Sequence, residues 1–181
     1  LAQCAVFHGG FTLEAAEAVL ELSAFPGAPP ALEVVRSLRS KSLLYTYEPP
    51  ECPDRLRFGL YVSVHEFAGE KFAEISQRDT VLSRHSSYYL ELARNLAPKV
   101  FGGGGGKHLG RLAVEEENLR VIYRLALAAP VHPDTALKAA ITLDPLYTTR
   151  GPFISRVETL DMAIACAEAA DAVKFHPALL A

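Results

Sequence analysis

Residues 39–75, RSKSLLYTYEPPECPDRLRFGLYVSVHEFAGEKFAEI, restrict the fold more than any other stretch of the chain. Ser42 to Tyr47 reads as a short strand. Glu48 to Arg55 holds three prolines, which lack the N–H a ladder needs, so this segment is a loop. Leu56, Phe58, Leu60 and Val62 then alternate with Arg57, Gly59 and Tyr61, the period of a half-buried strand. From Val64 the period changes: Val64, Phe67, Ala68, Phe72 and Ile75 fall on one helical stripe.

The flanking segments are helical. Leu1 to Phe7 is apolar and reads as the end of a helix, and with no initial Met the chain is expected to be a piece of a longer protein. Gly9-Gly10 breaks that helix. Thr12 is a good N-cap for the next, with Leu13, Ala16, Val19 and Leu20 on its core side. Pro30 can open another helix, because a first-turn residue needs no N–H partner, and Leu32, Val35 and Leu38 form its buried face. Two helices, two strands around a loop and a further helix are the parts of a winged helix, expected over residues 1–76.

Residues 77–181 read as helices throughout. Asp79 is placed to cap a long segment in which Leu82, His85, Tyr89, Leu92 and Leu96 step by three and four. Five consecutive glycines, Gly102 to Gly106, with Gly110 after them, predict a flexible linker over 102–110. Leu112, Leu119, Tyr123 and Ala126 start another helix. Asp134 to about Leu143 is the next, stopped or kinked at Pro145. After a turn at Gly151-Pro152, Val157, Leu160, Ile164 and Ala167 give the last stripe. Antiparallel helices with alanines at their contacts suggest the start of a repeat array, in units of about 34 residues. The fold class is therefore mainly α, with one β-hairpin.

Composition narrows the function. Half the 181 residues are hydrophobic and 22% are charged, as in a globular protein. No run is long and apolar enough to span a bilayer, and a soluble, cytoplasmic protein is expected. Cys4, Cys52 and Cys166 are widely spaced, with no paired-cysteine motif, so they read as reduced thiols without a metal.

The candidate chemistry is sparse. FGGGGGKHLG resembles a phosphate loop, yet Phe101 stands where the first glycine belongs and His108 where Ser or Thr should hold the metal. His65 beside Glu66, and His85 beside Arg84, are possible acid–base pairs. Both histidines read more simply as partly exposed, or buried and bonded to backbone. Ser86, Ser87 and Ser155 lack a nucleophile-elbow sequence. Glu115-Glu116-Glu117 reads as a solvated first helical turn, favoured by the helix dipole. No catalytic residue, metal site or cofactor is implied. DNA binding is the rival reading, through Arg36, Arg39 and Lys41 on and just after the helix that precedes the hairpin. Against it, residues 1–76 carry six Lys or Arg and ten Asp or Glu, the wrong balance for neutralising phosphates.

Five blocks in order, CAVFHGGFTLEAAEAVLEL, SLRSKSLL, RFGLYVSVHEFAGEKFAE, RHSSYYLELA and EEENLRVIYRLAL, resemble large bacterial STAND regulators. These are signal-transduction ATPases in which a nucleotide-binding NB-ARC-like domain precedes a winged helix and a tetratricopeptide-like array. The resemblance runs from Leu1 to about Ala129 and more loosely beyond. It implies a non-catalytic regulatory segment, with the ATP-binding loop upstream. The winged helix would clamp the nucleotide domain in its resting state, and the helical array would sense a ligand or protein partner. Some relatives carry a nucleotide-sensing histidine in an MHD-type motif; that motif falls on Leu60, Tyr61 and Val62, so this chain has Tyr61 in its place. The glycine run also replaces a more polar connection. The contact with the nucleotide domain is expected at Arg36, Arg39, Tyr61, His65 and Glu66. Apolar surface at the ends of the fragment could also pair two copies of it.

Overall fold

The computed structural model describes residues 1–128 and 133–169, so His132 and His176 lie outside the described residues. The described chain is mainly helical, with eight α-helices and a two-stranded antiparallel sheet. It divides into two compact units, Leu1–Asn118 and Leu119–Ala181.

In the first unit, a 3-10 turn (Ala2–Val6) buries Cys4, Ala5 and Val6. Gly9 and Gly10 then take φ of 76° and 83°, a region in which a side chain is strained. Phe11 forms a single antiparallel bridge with Phe58. Helix α1 (Leu13–Val19) starts at Thr12, whose hydroxyl accepts the Ala15 N–H at 3.3 Å. Helix α2 (Ala31–Ser40) follows Pro30 and buries Ala31, Val35 and Leu38, while Leu32 stays exposed. Strands β1 (Leu44–Tyr47) and β2 (Arg57–Leu60) pair from Leu44 with Leu60 to Tyr47 with Arg57. Helix α3 (Val62–Glu74) begins directly after Tyr61.

The alternation of β2 runs opposite to expectation. Arg57 and Gly59 are buried, Leu56 and Val62 are exposed, and Phe58 and Leu60 are half-buried. Arg57 is covered by Glu115 and Gly59 by the Tyr45 ring, so burial along this strand does not follow the simple apolar-in, polar-out rule. Phe58 packs against Phe11, ring centroids 5.7 Å apart. Arg57 enters the opposite side, where it finds a carboxylate. Helix α3 buries only Ala68 and Phe72, and Phe67 is exposed although its spacing placed it in the core stripe.

Helix α4 (Arg78–Leu96) starts after Gln77, so Asp79 lies in its first turn rather than capping it. His85, Tyr89 and Leu96 are buried as their spacing predicts, joined by Val81 and Ala93. This helix packs on α1 and the N-terminal 3-10 turn, so the first unit runs well past residue 76. A second 3-10 turn (Ala97–Phe101) leads to α5 (Gly105–Ala113). The linker expected over 102–110 is therefore helical from Gly105 onward. Two of its glycines serve close packing. A Cβ on Gly105 would stand 1.9 Å from the Val100 carbonyl oxygen, and one on Gly110 would stand 2.4 Å from that of Glu51.

The boundary between the units falls within α6 (Glu116–Ala128). In the second unit α7 (Pro133–Arg150) and α8 (Phe153–Ala169) pack together. Ala126, Ala136, Ala140 and Ala163 make a core of small residues, edged by Tyr123, Leu127, Leu137 and Leu160. Helix α7 continues through Pro145 instead of stopping near Leu143. An interior proline costs about 3 kcal/mol. Burial of Leu143, Leu146 and Tyr147 offsets it, each large apolar side chain contributing about 1.5–3 kcal/mol. Arg156 of α8 pairs with Asp144 at 2.5 Å. Val157 is exposed, and Ala163 and Ala167 take the buried positions of α8. No helix among the described residues is long and apolar enough to cross a membrane.

The glycines of α5 give a direct contrast. Gly106 has nothing within 4 Å of an added Cβ, so Gly106→Ala is expected to stabilise by about 0.5–1 kcal/mol through helix propensity. Gly105→Ala is expected to destabilise by about 1–3 kcal/mol through overpacking. Urea unfolding of both variants measures this, and equal effects would contradict the close contact at Gly105.

Candidate functional site

The chemistry-bearing side chains of the first unit fall into a buried group and an exposed group. The buried one centres on Arg57, which β2 carries inward opposite Tyr47. Its Nη1 donates to Glu115 Oε1 at 2.5 Å and its Nη2 to Oε2 at 2.8 Å. This is a two-pronged pair with both partners almost fully buried. Nη2 also donates to the Gly10 carbonyl at 2.9 Å, and Nε donates to the Tyr47 hydroxyl at 3.4 Å. The Tyr47 hydroxyl in turn donates to the Gly9 carbonyl at 2.7 Å. The Gly9-Gly10 turn therefore aims two carbonyls at this cation. A Cβ on Gly10 would lie 2.5 Å from the Tyr47 hydroxyl oxygen.

Asn118, one helical turn beyond Glu115, completes the network. Its Oδ1 accepts the His8 backbone N–H at 2.8 Å and His85 Nε2 at 3.2 Å. Its Nδ2 donates to the Gly10 carbonyl at 3.2 Å and to Glu115 Oε2 at 3.1 Å. All four hydrogen-bonding capacities of a fully buried amide are thus used. Because Oδ1 can only accept, the His85 proton sits on Nε2. Phe7 and Tyr89 lie 5.8 and 4.7 Å from the His85 ring.

Burial sets the protonation states. It lowers the His85 pKa to about 4, despite the opposing hydrogen bond with Asn118, so His85 is neutral at pH 7. Burial also works to lower the Arg57 pKa, but the hydrogen bonds and charge of Glu115 reverse this, and the net shift is upward. Burial pushes the Cys4 thiol up to about 11, which makes it unreactive at neutral pH. With its charges matched, the Arg57–Glu115 pair joins distant segments of the chain.

This group corrects two expectations. Glu115 is not a solvated first-turn residue but the buried counter-charge of Arg57. His85 is buried as one reading allowed, yet it bonds to a side chain rather than to backbone. Arg57, Glu115 and Asn118 were missed as a set. The available signal was a lone Arg inside an apolar strand, together with Glu and Asn three residues apart.

The exposed group holds the residues expected to meet a partner. Arg36 and Arg39 lie exposed on α2, and Lys41 is exposed at its C-terminal end. Tyr61 is exposed immediately before α3, and Glu66 is exposed on that helix. His65 is half-buried, with Nε2 3.2 Å from the Phe7 carbonyl and its ring 4.8 Å from that of His8. Helix α2 packs on α1 and β1, whereas α3 packs on the N-terminal 3-10 turn and α4. The two sets of residues therefore stand on differently supported elements. No group of three His, Cys, Asp or Glu among the described residues is placed to hold a metal. Compared with protein-family models, curated proteins and solved structures, the chain matches none of them.

Arg57→Met alone, or Glu115→Leu alone, is expected to cost about 3–5 kcal/mol by leaving a buried charge unpaired. The double variant is expected to recover most of that loss. Denaturant titration of the three proteins provides the cycle, and simple additivity would contradict the pairing.

His85 predicts a pH effect of definite sign. Its pKa falls from an ordinary 6.5 to about 4 on folding, so between those values the unfolded chain binds the extra proton. Stability is therefore expected to decline by about 3 kcal/mol as pH drops from 6.5 to 4. His85→Gln should remove this part of the slope while leaving that of the carboxylates. An unchanged pH profile of unfolding would refute it.

Proposed function

We propose that this chain is a regulatory, protein-contacting segment of a larger STAND-type signal-transduction ATPase. In this reading residues 1–76 act as a winged helix against an upstream nucleotide-binding domain, and the later helices begin a tetratricopeptide-like array that receives a protein or small-molecule signal. The element order supports the winged-helix part. The bridge of Phe11 to Phe58 supplies the short third-strand position between the first two helical segments. The alanine-rich packing of α7 and α8 supports the repeat part.

The observation that carries the reading is an exposed aromatic surface at the hairpin. Tyr45 lies across Gly59, where an added Cβ would come within 2.5 Å of its ring. The Tyr61 ring packs 5.1 Å from it. Tyr45 and Tyr61 remain well exposed, and Val62 beside them is 77% exposed. Aromatic side chains already held in place lose little freedom on binding, which favours them as contact anchors. The mechanism is a population shift: the surface holds the nucleotide domain in its resting state and releases it on activation.

A second reading, DNA contact, draws on Arg36, Arg39 and Lys41, which form no ion pair or side-chain hydrogen bond among the described residues. Two measurements separate the readings. In the full-length protein, Tyr61→Ala and Arg36→Ala are expected to raise basal ATP turnover at least several-fold, because loss of an anchor of about 2 kcal/mol weakens a contact roughly thirty-fold. Unchanged turnover and activation would reject this surface. Salt-dependent duplex binding in a fluorescence-polarisation titration, lost in Arg36→Ala and Arg39→Ala, would favour the DNA reading instead.

A further inference from the structure

The proline-rich loop between β1 and β2 closes over a cavity of about 20 Å³ whose polar walls are Thr12, Arg55, Arg57, Tyr88, Arg111 and Glu115. That volume takes about one water-sized group. The loop is ordered on its own account. Cys52 N–H donates to the Pro49 carbonyl at 2.9 Å and Arg55 N–H to the Cys52 carbonyl at 3.2 Å. It also lies against α5, where the absent side chain of Gly110 admits the Glu51 carbonyl. The next residue along α5, Arg111, faces the cavity.

The charges in these walls do not cancel. Arg57 is neutralised by Glu115 and Arg55 acts on the Glu14 carboxylate, which leaves Arg111 as the cation without a counter-charge. Arg55 is exposed and acts at a distance on Glu14, whose carboxyl it helps to hold below its ordinary range after the backbone and Thr12 hydrogen bonds there. Arg111 is half-buried and forms no hydrogen bond or ion pair among the described residues. A guanidinium partly withdrawn from water without a counter-charge is unfavourable. The Thr12 and Tyr88 hydroxyls line the same walls, where they are hydrogen-bonded to each other.

We propose that this cavity is a binding site for a small oxyanion, a phosphate or a carboxylate. One oxygen enters the water-sized space while Arg111 and Arg55 neutralise the charge. Guanidinium groups suit this role because their planar forks match the spacing of oxyanion oxygens. The bound anion joins the proline-rich loop to α5, so it stabilises the first unit. This site is independent of the proposed contact surface at Tyr61.

The test is thermal unfolding of the full chain against inorganic phosphate, acetate and chloride at matched ionic strength. One of the two oxyanions is expected to raise the midpoint saturably, with half-effect on the order of 1 mM. Which one does so identifies the class. Arg111→Gln is expected to weaken that response at least ten-fold while leaving the unfolding midpoint in chloride unchanged or higher. Arg55→Gln, at an exposed position, gives the second variant and is expected to weaken it several-fold. Equal, non-saturating effects of all three anions, or an unaltered response in both variants, would overturn the proposal.

Discussion

A buried guanidinium–carboxylate pair is the constraint around which the first unit is arranged. Withdrawing both charges from water costs several kcal/mol per ion unless the remaining donors and acceptors also find partners. Here they do. Arg57 spends its donors on Glu115, on the Gly10 carbonyl and on the Tyr47 hydroxyl, and Asn118 supports the carboxylate. These partners come from separate parts of the chain, and Asn118 also bonds to His85 of α4. The glycine turn, the hairpin, helix α4 and the start of α6 are thereby fixed with respect to one another. Apolar packing alone would allow several neighbouring arrangements, because it is non-directional. A hydrogen-bonded network permits far fewer.

Much of the fold was legible because its signals are local. Thr12 before a periodic run, Pro30 ahead of another, and the three prolines between two short strands each have a mechanism that acts within a few residues. The seam of His85, Tyr89 and Leu96 was readable for the same reason. The hairpin was placed correctly in sequence but its faces were reversed. Alternation specifies which set of residues shares a face, and only tertiary surroundings decide how each face is covered. Arg57 is the residue that shows this: its polarity argued for solvent, and a carboxylate 58 positions away overruled it.

The glycine run and Pro145 show the same limit from the side of propensity. Both residue types disfavour helix in isolation, yet α5 begins inside the run and α7 passes through the proline. Neighbours explain both cases. Val100 and Glu51 approach where any side chain would collide, and the residues after Pro145 bury large apolar surface. The exposed candidates were legible as surface residues because nothing in the surroundings needed to be known. What they contact is a property of a partner, which no periodicity encodes.

The span of the network also bears on the order in which the protein is made. Asn118 bonds to Gly10 across 108 residues, and to the His8 backbone across 110. At typical synthesis rates of roughly 5–20 residues per second, several seconds separate the emergence of the glycine turn from that of the amide that ties it down. During that interval the hairpin can form, but its arginine has no counter-ion from Glu115 and stays hydrated. Closure of the first unit therefore waits for its last few residues to leave the ribosome, and a nascent chain halted before Glu115 would hold an incomplete, more protease-sensitive intermediate.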